Sequence, residues 1–287
     1  MKVLYLYSDK TGIKKSQNHI EKLNDALRDI YEELTIIKTT SLDDFERKIR
    51  GSIKKYDILL IAGGDGTLKF ATDILLSYKK EDRPTLAYIP TGTVNDAAKA
   101  FGVKGPVKQA LKVLKLGHTD YIDVCKVNNE HFNFVCAVGA YSDISYATKR
   151  EKKKVLGRFA YYFYAIGELF RRKSLTVDIQ TRDKEFTVKT PFILALNSKN
   201  VGGFPVNFDY SAKDGLIEIY ITKPGLFNGI LHYLFKRFGK IKIKTDYIKM
   251  SVHENEYWCF DGEKGDLKEV EISVLKKELK VIGTVKK

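Results

Sequence analysis

Apolar positions along this chain follow one rule up to about residue 122 and another beyond it. In the first part, short apolar runs alternate with segments whose apolar residues recur at helical spacing. Val3–Tyr7, Leu34–Lys38, Ile58–Ala62 and Leu86–Ile89 read as strands, and helices are predicted over about 16–31, 42–53, 68–79, 95–101 and 106–116. Ile58–Ala62 is apolar at every position, the pattern of a strand covered on both faces. Such alternation predicts a parallel sheet with helices on both sides, joined by right-handed crossovers.

Near Tyr121 the period falls to two. Ile122–Asn128, His131–Val138, Ser174–Thr181, Glu185–Asn197, Leu216–Ile221, Ile248–His253, Glu256–Phe260, Glu269–Leu275 and Leu279–Val285 read as strands, and Asn128-Asn129-Glu130 suits a tight hairpin turn. The prediction is an α/β plus all-β protein: a doubly wound domain over 1–122 and an antiparallel β-sandwich domain over 123–287. Two segments in the second half have helical spacing. In the first, Val155, Phe159, Tyr162, Ile166 and Leu169 are flanked by Lys152–Lys154 and Arg171–Lys173. In the second, Leu226, Ile230, Leu234 and Phe238 have Lys236, Arg237, Lys240, Lys242 and Lys244 nearby. Each fits a core helix with a lysine-rich rim, and each fits a basic helix lying on an anionic membrane.

Composition narrows the class. A chain of 287 residues that is 44% apolar can build two cores. The longest uncharged stretches, Pro224 to Phe235 among them, are 12 residues. A membrane-spanning helix needs about 18, so a cytoplasmic protein without a spanning helix is expected. The three cysteines have no zinc or redox spacing and are expected to be reduced and buried. The charge of +14 suggests an anionic partner, either a membrane surface met peripherally or nucleic acid; a plain lysine bias explains it equally well. No nucleic-acid motif accompanies the charge, so no nucleic acid is expected.

The candidate chemistry lies at two strand ends. Ile58–Ala62 runs into Gly63-Gly64-Asp65-Gly66-Thr67 and then a helical segment. Glycines admit a sharp turn and a close ligand, and the helix start offers unpaired N–H groups to phosphate. Asp65 in such a turn would repel a polyphosphate unless it holds a divalent cation that bridges to it. The alternative is an ordinary turn with an aspartate near a helix start. Leu86–Ile89 leads likewise into Pro90-Thr91-Gly92-Thr93-Val94-Asn95-Asp96. Two such ends can line one crevice at the carboxyl edge of a parallel sheet. Thr39 and Thr40, after the second strand, either reach a nucleotide from their strand end or cap the helix that follows.

The two motifs together resemble the diacylglycerol kinase catalytic family, in particular its small soluble bacterial lipid kinases; the first motif alone also occurs in NAD kinases. Asp120-Tyr121-Ile122-Asp123-Val124, Asp214-Gly215-Leu216 and Asp261-Gly262-Glu263 match family motifs in the same order. The chain departs from the family at Tyr7–Gly12, where an Asn-Pro loop is usual, and at Lys69-Phe70, where Asn-Glu is usual. The resemblance implies a kinase that moves the γ-phosphate of ATP, with Mg2+, to the hydroxyl of diacylglycerol, giving phosphatidic acid. A kinase of another lipid alcohol, an NAD kinase and a non-catalytic lipid or nucleotide sensor are the alternatives. It implies phosphate contacts from Gly63, Gly64, Gly66, Thr67, Thr93 and Asn95, and magnesium at Asp65 with Asp123 extending its water network. It implies a structural magnesium at Asp214 with the carbonyls of Ser211 and Leu216, and Glu263 as the base. Locally, Asp123 reads as a strand-edge aspartate, Asp214-Gly215 as a turn between strands, and Asp261-Gly262-Glu263 as a charged hairpin turn. A final strand that returns to the first domain is also implied, and a homodimer is compatible.

Overall fold

The computed structural model describes residues 1–8, 17–92, 95–96, 98, 101–103, 107–132, 135–139, 174–201, 204–205, 207–223, 240–261 and 263–283. Both basic segments, around Val155–Leu169 and Leu226–Phe238, lie outside these residues. The chain forms two compact units, Met1–Asp123 with Lys276–Lys287, and Val124–Leu275.

The first unit is wound as the alternating pattern requires. β1 (Lys2–Tyr7), β2 (Glu33–Lys38), β3 (Ile58–Gly63) and β4 (Thr85–Pro90) are parallel in the order β2-β1-β3-β4. α1 (Gln17–Arg28), α2 (Leu42–Arg50) and α3 (Asp65–Leu76) make the crossovers. α4 (Val107–Leu116) leads into β5 (Thr119–Val127). Every residue of β3 and β4 is buried, which is why both read as unbroken apolar runs; β2, at the edge, shows exposed positions. α2 starts at Ser41, whose hydroxyl accepts the Asp44 N–H at 3.1 Å, and Thr40 N–H donates to the Asp44 carboxylate at 3.2 Å.

The second unit is antiparallel throughout. β6 (Glu130–Phe132) pairs with the end of β5 across a two-residue turn, with Asn128 left-handed at φ 49°. One sheet contains β8 (Leu175–Gln180), β9 (Glu185–Thr190), β15 (Tyr247–Val252) and the first part of β18 (Glu269–Ile282). The other runs β14 (Lys240–Thr245), β13 (Ile217–Thr222), β10 (Phe192–Leu196), β7 (Val135–Gly139), β16 (Cys259–Phe260) and β17 (Glu263–Lys264). A short pair, β11 (Asn200–Val201) with β12 (Phe204–Pro205), stands apart. Inward residues of both sheets, among them Val177, Ile179, Met250 and Ile272 from one and Val138, Ile193, Ile219 and Phe260 from the other, form one core. The result is a β-sandwich. Cys125, Cys136 and Cys259 are buried and form no disulfide with one another, and burial pushes the Cys136 thiol far up.

Two expectations change. The single strand expected over Glu185–Asn197 is two, β9 and β10, broken at Pro191, which lacks the N–H a ladder needs. The two expected last strands are one 14-residue strand, β18, despite Lys276-Lys277; Lys277 takes a left-handed conformation at φ 52° inside it. Beyond Lys277, β18 runs parallel to β4, with Val281 opposite Leu86. Of the helix expected over 95–101, the described residues are 95–96, 98 and 101; there Ala98 N–H donates to Asn95 C=O and Phe101 N–H to Ala98 C=O, the three-residue spacing of a 3-10 turn.

Candidate active site

The two glycine turns meet. β3 and β4 are adjacent and in register, Gly63 opposite Pro90, so the turns that follow them leave the sheet side by side. A Cβ on Gly92 would lie 2.6 Å from the Gly64 Cα, a separation no side chain permits. Asn95 ties the second turn into a ring: its Oδ1 accepts the Gly92 N–H at 2.9 Å and its Nδ2 donates to the Gly92 carbonyl at 2.8 Å. It does so at φ 54°, which asparagine tolerates better than most residues. Tyr88, fully buried on β4, donates its hydroxyl to the Gly63 carbonyl at 2.9 Å and reaches Asn95 Oδ1 at 3.5 Å. It braces both turns. Burial and then the nearby Asp65 charge push its pKa far up, so it stays a neutral donor.

Each glycine has its own reason. A Cβ on Gly63 would strike the Thr67 side chain at 2.5 Å, so Gly63 makes room for Thr67. Gly66 differs: a Cβ there meets nothing within 4 Å. α3 begins at Asp65 with Gly64 as its N-cap, and no side chain caps it. Its first N–H groups therefore lack intrahelical acceptors at a glycine-lined turn, the arrangement that suits an anion. Asp65 stands in this first turn, and its Oδ2 accepts the backbone N–H of buried Asp96 at 3.2 Å. That bond joins the first motif to the second. Magnesium is commonly held by one or two carboxylates plus substrate phosphates. The uncapped helix start, the open space at Gly66 and Asp65 fit a magnesium-bound nucleotide, although no group of three or more metal-ligating side chains occurs among the described residues.

Other expected site residues are engaged in the fold. Thr39 is buried, with its N–H and hydroxyl both donating to the Tyr7 carbonyl, and Thr40 belongs to the α2 cap. Of the two readings for this pair, capping and strand anchoring are what the geometry shows. Asp123 is buried, and its Oδ1 accepts the Lys277 N–H at 2.7 Å, holding the left-handed residue in β18. Lys69 pairs with Asp73 one turn along α3 at 2.8 Å, and Phe70 stacks on Phe45. Thr93 lies outside the described residues.

In the second unit, Asp261 turns the β16–β17 hairpin at φ 48°. Its N–H donates to the Val135 carbonyl at 2.8 Å, and its Oδ1 accepts the Val135 N–H at 3.0 Å. Asp261 thus clamps the hairpin to β7. Glu263 pairs with Phe260 across that hairpin; its backbone is described and its side chain is not. At the other loop, Asp214 Oδ1 accepts the Leu216 N–H at 3.1 Å and Oδ2 lies 2.7 Å from Lys244 Nζ. Ser211 Oγ accepts the Lys213 N–H at 3.4 Å. Both Asp214 oxygens already have partners, and one partner is a cation, so this loop does not fit a bound magnesium as the resemblance implies.

Sequence reading missed Tyr88, Asp96 and Lys244. Tyr88 left one signal, a lone tyrosine in the otherwise aliphatic strand Leu86-Ala87-Tyr88-Ile89.

A parallel sheet whose neighbouring strands end in touching glycine turns, before an uncapped helix, is an α/β arrangement suited to phosphate; the same chain also forms a β-sandwich. Residues 2–127 match the diacylglycerol kinase catalytic domain. The chain is 31% identical over 216 residues to a diacylglycerol kinase of Staphylococcus epidermidis, a match covering 75% of this chain and 62% of that protein. It is 30% identical over 193 residues to one of Staphylococcus saprophyticus, covering 67% and 63%. The aligned region thus spans about three fifths of each relative's length. A crystal structure from Bacillus anthracis str. Sterne, provisionally named a diacylglycerol kinase, superposes with a TM-score of 0.85 at 25% identity, covering 99% of this chain and 97% of that one. The chain belongs to the diacylglycerol kinase catalytic family.

Proposed function

We propose that this chain is an ATP- and magnesium-dependent lipid kinase that phosphorylates the hydroxyl of diacylglycerol or a close relative, giving phosphatidic acid. The observation that carries the reading is the joined pair of glycine turns, with Asp65 at the uncapped start of α3. Phosphoryl transfer asks mainly for positioning and charge neutralisation. In this reading the α3 N–H groups hold phosphate oxygens, Asp65 holds magnesium, and Glu263 takes the acceptor's proton. Magnesium, when bound, neutralises charge on the transferring phosphoryl group. Labelled ATP offered with diacylglycerol, other lipid alcohols and NAD tests the reading. Label in phosphatidic acid supports it. Label in NADP makes the chain an NAD kinase. No transfer to any acceptor, with ATP bound, makes it a sensor.

Two glycines give opposite expectations. Gly92→Ala must push the turns apart and is expected to lower the melting temperature and nucleotide affinity together, overpacking of this kind costing about 1–3 kcal/mol. Gly66→Ala meets only open space and improves helix propensity by up to about 1 kcal/mol, so it should melt no lower than wild type. Its methyl enters the space assigned to phosphate, and Mg-ATP affinity should fall at least tenfold. Unchanged ATP binding by Gly66→Ala would move the phosphates elsewhere.

The lipid must be met at a surface. Among the described residues no helix is long and apolar enough to cross a membrane. With a charge of +14, the reading includes reversible attachment to anionic bilayers, each nearby lysine or arginine adding about 1 kcal/mol and salt screening the attraction over about 10 Å at 0.1 M. Lys242 is a poor contributor: its ammonium pairs with Asp209 at 2.6 Å and lies over the Tyr220 ring. The test therefore uses Lys236, Arg237 and Lys240 of the same basic stretch. Co-sedimentation with liposomes should rise with anionic lipid and fall with salt, and changing those three to Gln should weaken it while ATP binding holds. Salt-insensitive binding to neutral vesicles would replace charge by apolar insertion.

A further inference from the structure

We propose that the Lys244 ammonium is the resident cation of the Asp214 loop and that this loop binds no divalent metal. The argument starts from Glu218, a carboxylate only 1% exposed on β13. Its neighbours Ile217, Ile219 and Ile221 point into the sandwich core, so Glu218 faces the other side of the sheet. A buried carboxylate is costly unless it is paired and hydrogen-bonded. Asn207, itself fully buried, donates to Glu218 Oε2 at 2.8 Å, and the Tyr220 hydroxyl fixes Asn207 by donating to its Oδ1 at 3.1 Å. The charge is answered by Lys244, directly opposite Glu218 in the β13–β14 register, with Nζ 3.0 Å from Oε1. The same ammonium lies 2.7 Å from Asp214 Oδ2.

One ammonium thus serves two carboxylates, and the loop at Asp214-Gly215-Leu216 is closed without a metal. Magnesium wants six oxygens at about 2.1 Å and gives up its water reluctantly. It cannot share Asp214 Oδ2 with an ammonium already at contact distance, and displacing that ammonium would strand the Glu218 charge. The inference holds whether or not the chain phosphorylates a lipid, because it concerns this loop alone.

The test reads melting temperature and ion binding in the full chain without nucleotide. Any magnesium shift from the Asp65 turn is common to wild type and Asp214→Asn, so their difference reports on the loop. That difference is expected to be zero from chelator to millimolar Mg2+ or Ca2+, and Mn2+ stoichiometry is expected to be equal in the two proteins. Lys244→Met should melt several degrees lower and recover with Ca2+, since two carboxylates are left facing each other; Lys244→Arg should keep wild-type stability and ignore the metal. A loop-specific magnesium shift in wild type, or one Mn2+ fewer in Asp214→Asn, overturns the proposal. If Lys244→Met cannot be isolated, the Mn2+ comparison decides by itself.

Discussion

Asp65→Asn should reduce turnover by at least a hundredfold to a thousandfold while the protein keeps its fold and its melting temperature. The separation follows from what each part of the side chain does. Structurally, Asp65 accepts the Asp96 N–H, and an asparagine Oδ1 can accept the same bond. The link between the two glycine turns survives. The ring that Asn95 closes on Gly92 and the Tyr88 hydroxyl bond to Gly63 do not involve Asp65. What disappears is the negative charge in the first turn of α3. In the proposed reading that charge holds magnesium against the phosphates, where it acts as charge preorganised for the transition state. Loss of one such group typically costs about 3–4 kcal/mol of transition-state stabilisation, which is a hundredfold to a thousandfold in rate. Nucleotide affinity should respond differently with and without metal: Mg-ATP should bind more weakly, whereas metal-free ATP, no longer facing a carboxylate, should bind as well or better. Calorimetry with and without magnesium, run beside the rate assay, reads both. Turnover near wild type at saturating magnesium removes Asp65 from the mechanism.

The joined glycine turns of the candidate site could be read from the chain because local rules coincide there. β3 and β4 are buried on both faces, so their apolar runs are continuous, and glycine turns end them where a parallel sheet places its ligands. The sequence also exposed the sandwich, since period-two alternation survives wherever one face is buried. What it hid depends on register and on partners distant along the chain. Tyr88 looks like a core residue until β3 is set beside β4, which brings its hydroxyl to the Gly63 carbonyl. Thr39 and Thr40 fitted either a nucleotide or a cap, and the Tyr7 carbonyl and the Asp44 carboxylate take them up. Lys244 was legible only as one lysine in a basic stretch; its pairing with Glu218 comes from the β13–β14 ladder. Asp123 was grouped with the metal because of its motif, whereas its carboxylate oxygen holds a backbone N–H 154 residues further on. Pro191 was an overlooked local signal, as the lone tyrosine in β4 was, for proline rarely sits inside a paired strand.

Glu263→Gln is expected to bind Mg-ATP like wild type and to transfer phosphate roughly a hundredfold or more slowly, the usual size of a general-base contribution. A lipid hydroxyl is a weak acid and a poor nucleophile. Its proton must pass to a base as the bond to phosphorus forms, and glutamine cannot accept it. The turn Asp261-Gly262-Glu263 carries two carboxylates, and the structure gives Asp261 a structural duty. Asp261 receives the Val135 N–H on Oδ1 while its own N–H donates to the Val135 carbonyl, so it is committed to holding the hairpin on β7. In the proposed reading Glu263 is the base. The matched control is therefore Asp261. Asp261→Asn can keep the bond from Val135 and should lose little rate. Asp261→Ala leaves that N–H without its acceptor, and if it stays buried the loss of stability should be about 1–3 kcal/mol, with turnover per folded molecule much closer to wild type than that of Glu263→Gln. The four proteins can be compared by melting temperature, Mg-ATP calorimetry and single-turnover transfer to diacylglycerol in mixed micelles. A Glu263→Gln variant that loses ATP affinity as steeply as rate would make Glu263 a binding or structural residue. One that transfers at the wild-type rate would put the base elsewhere.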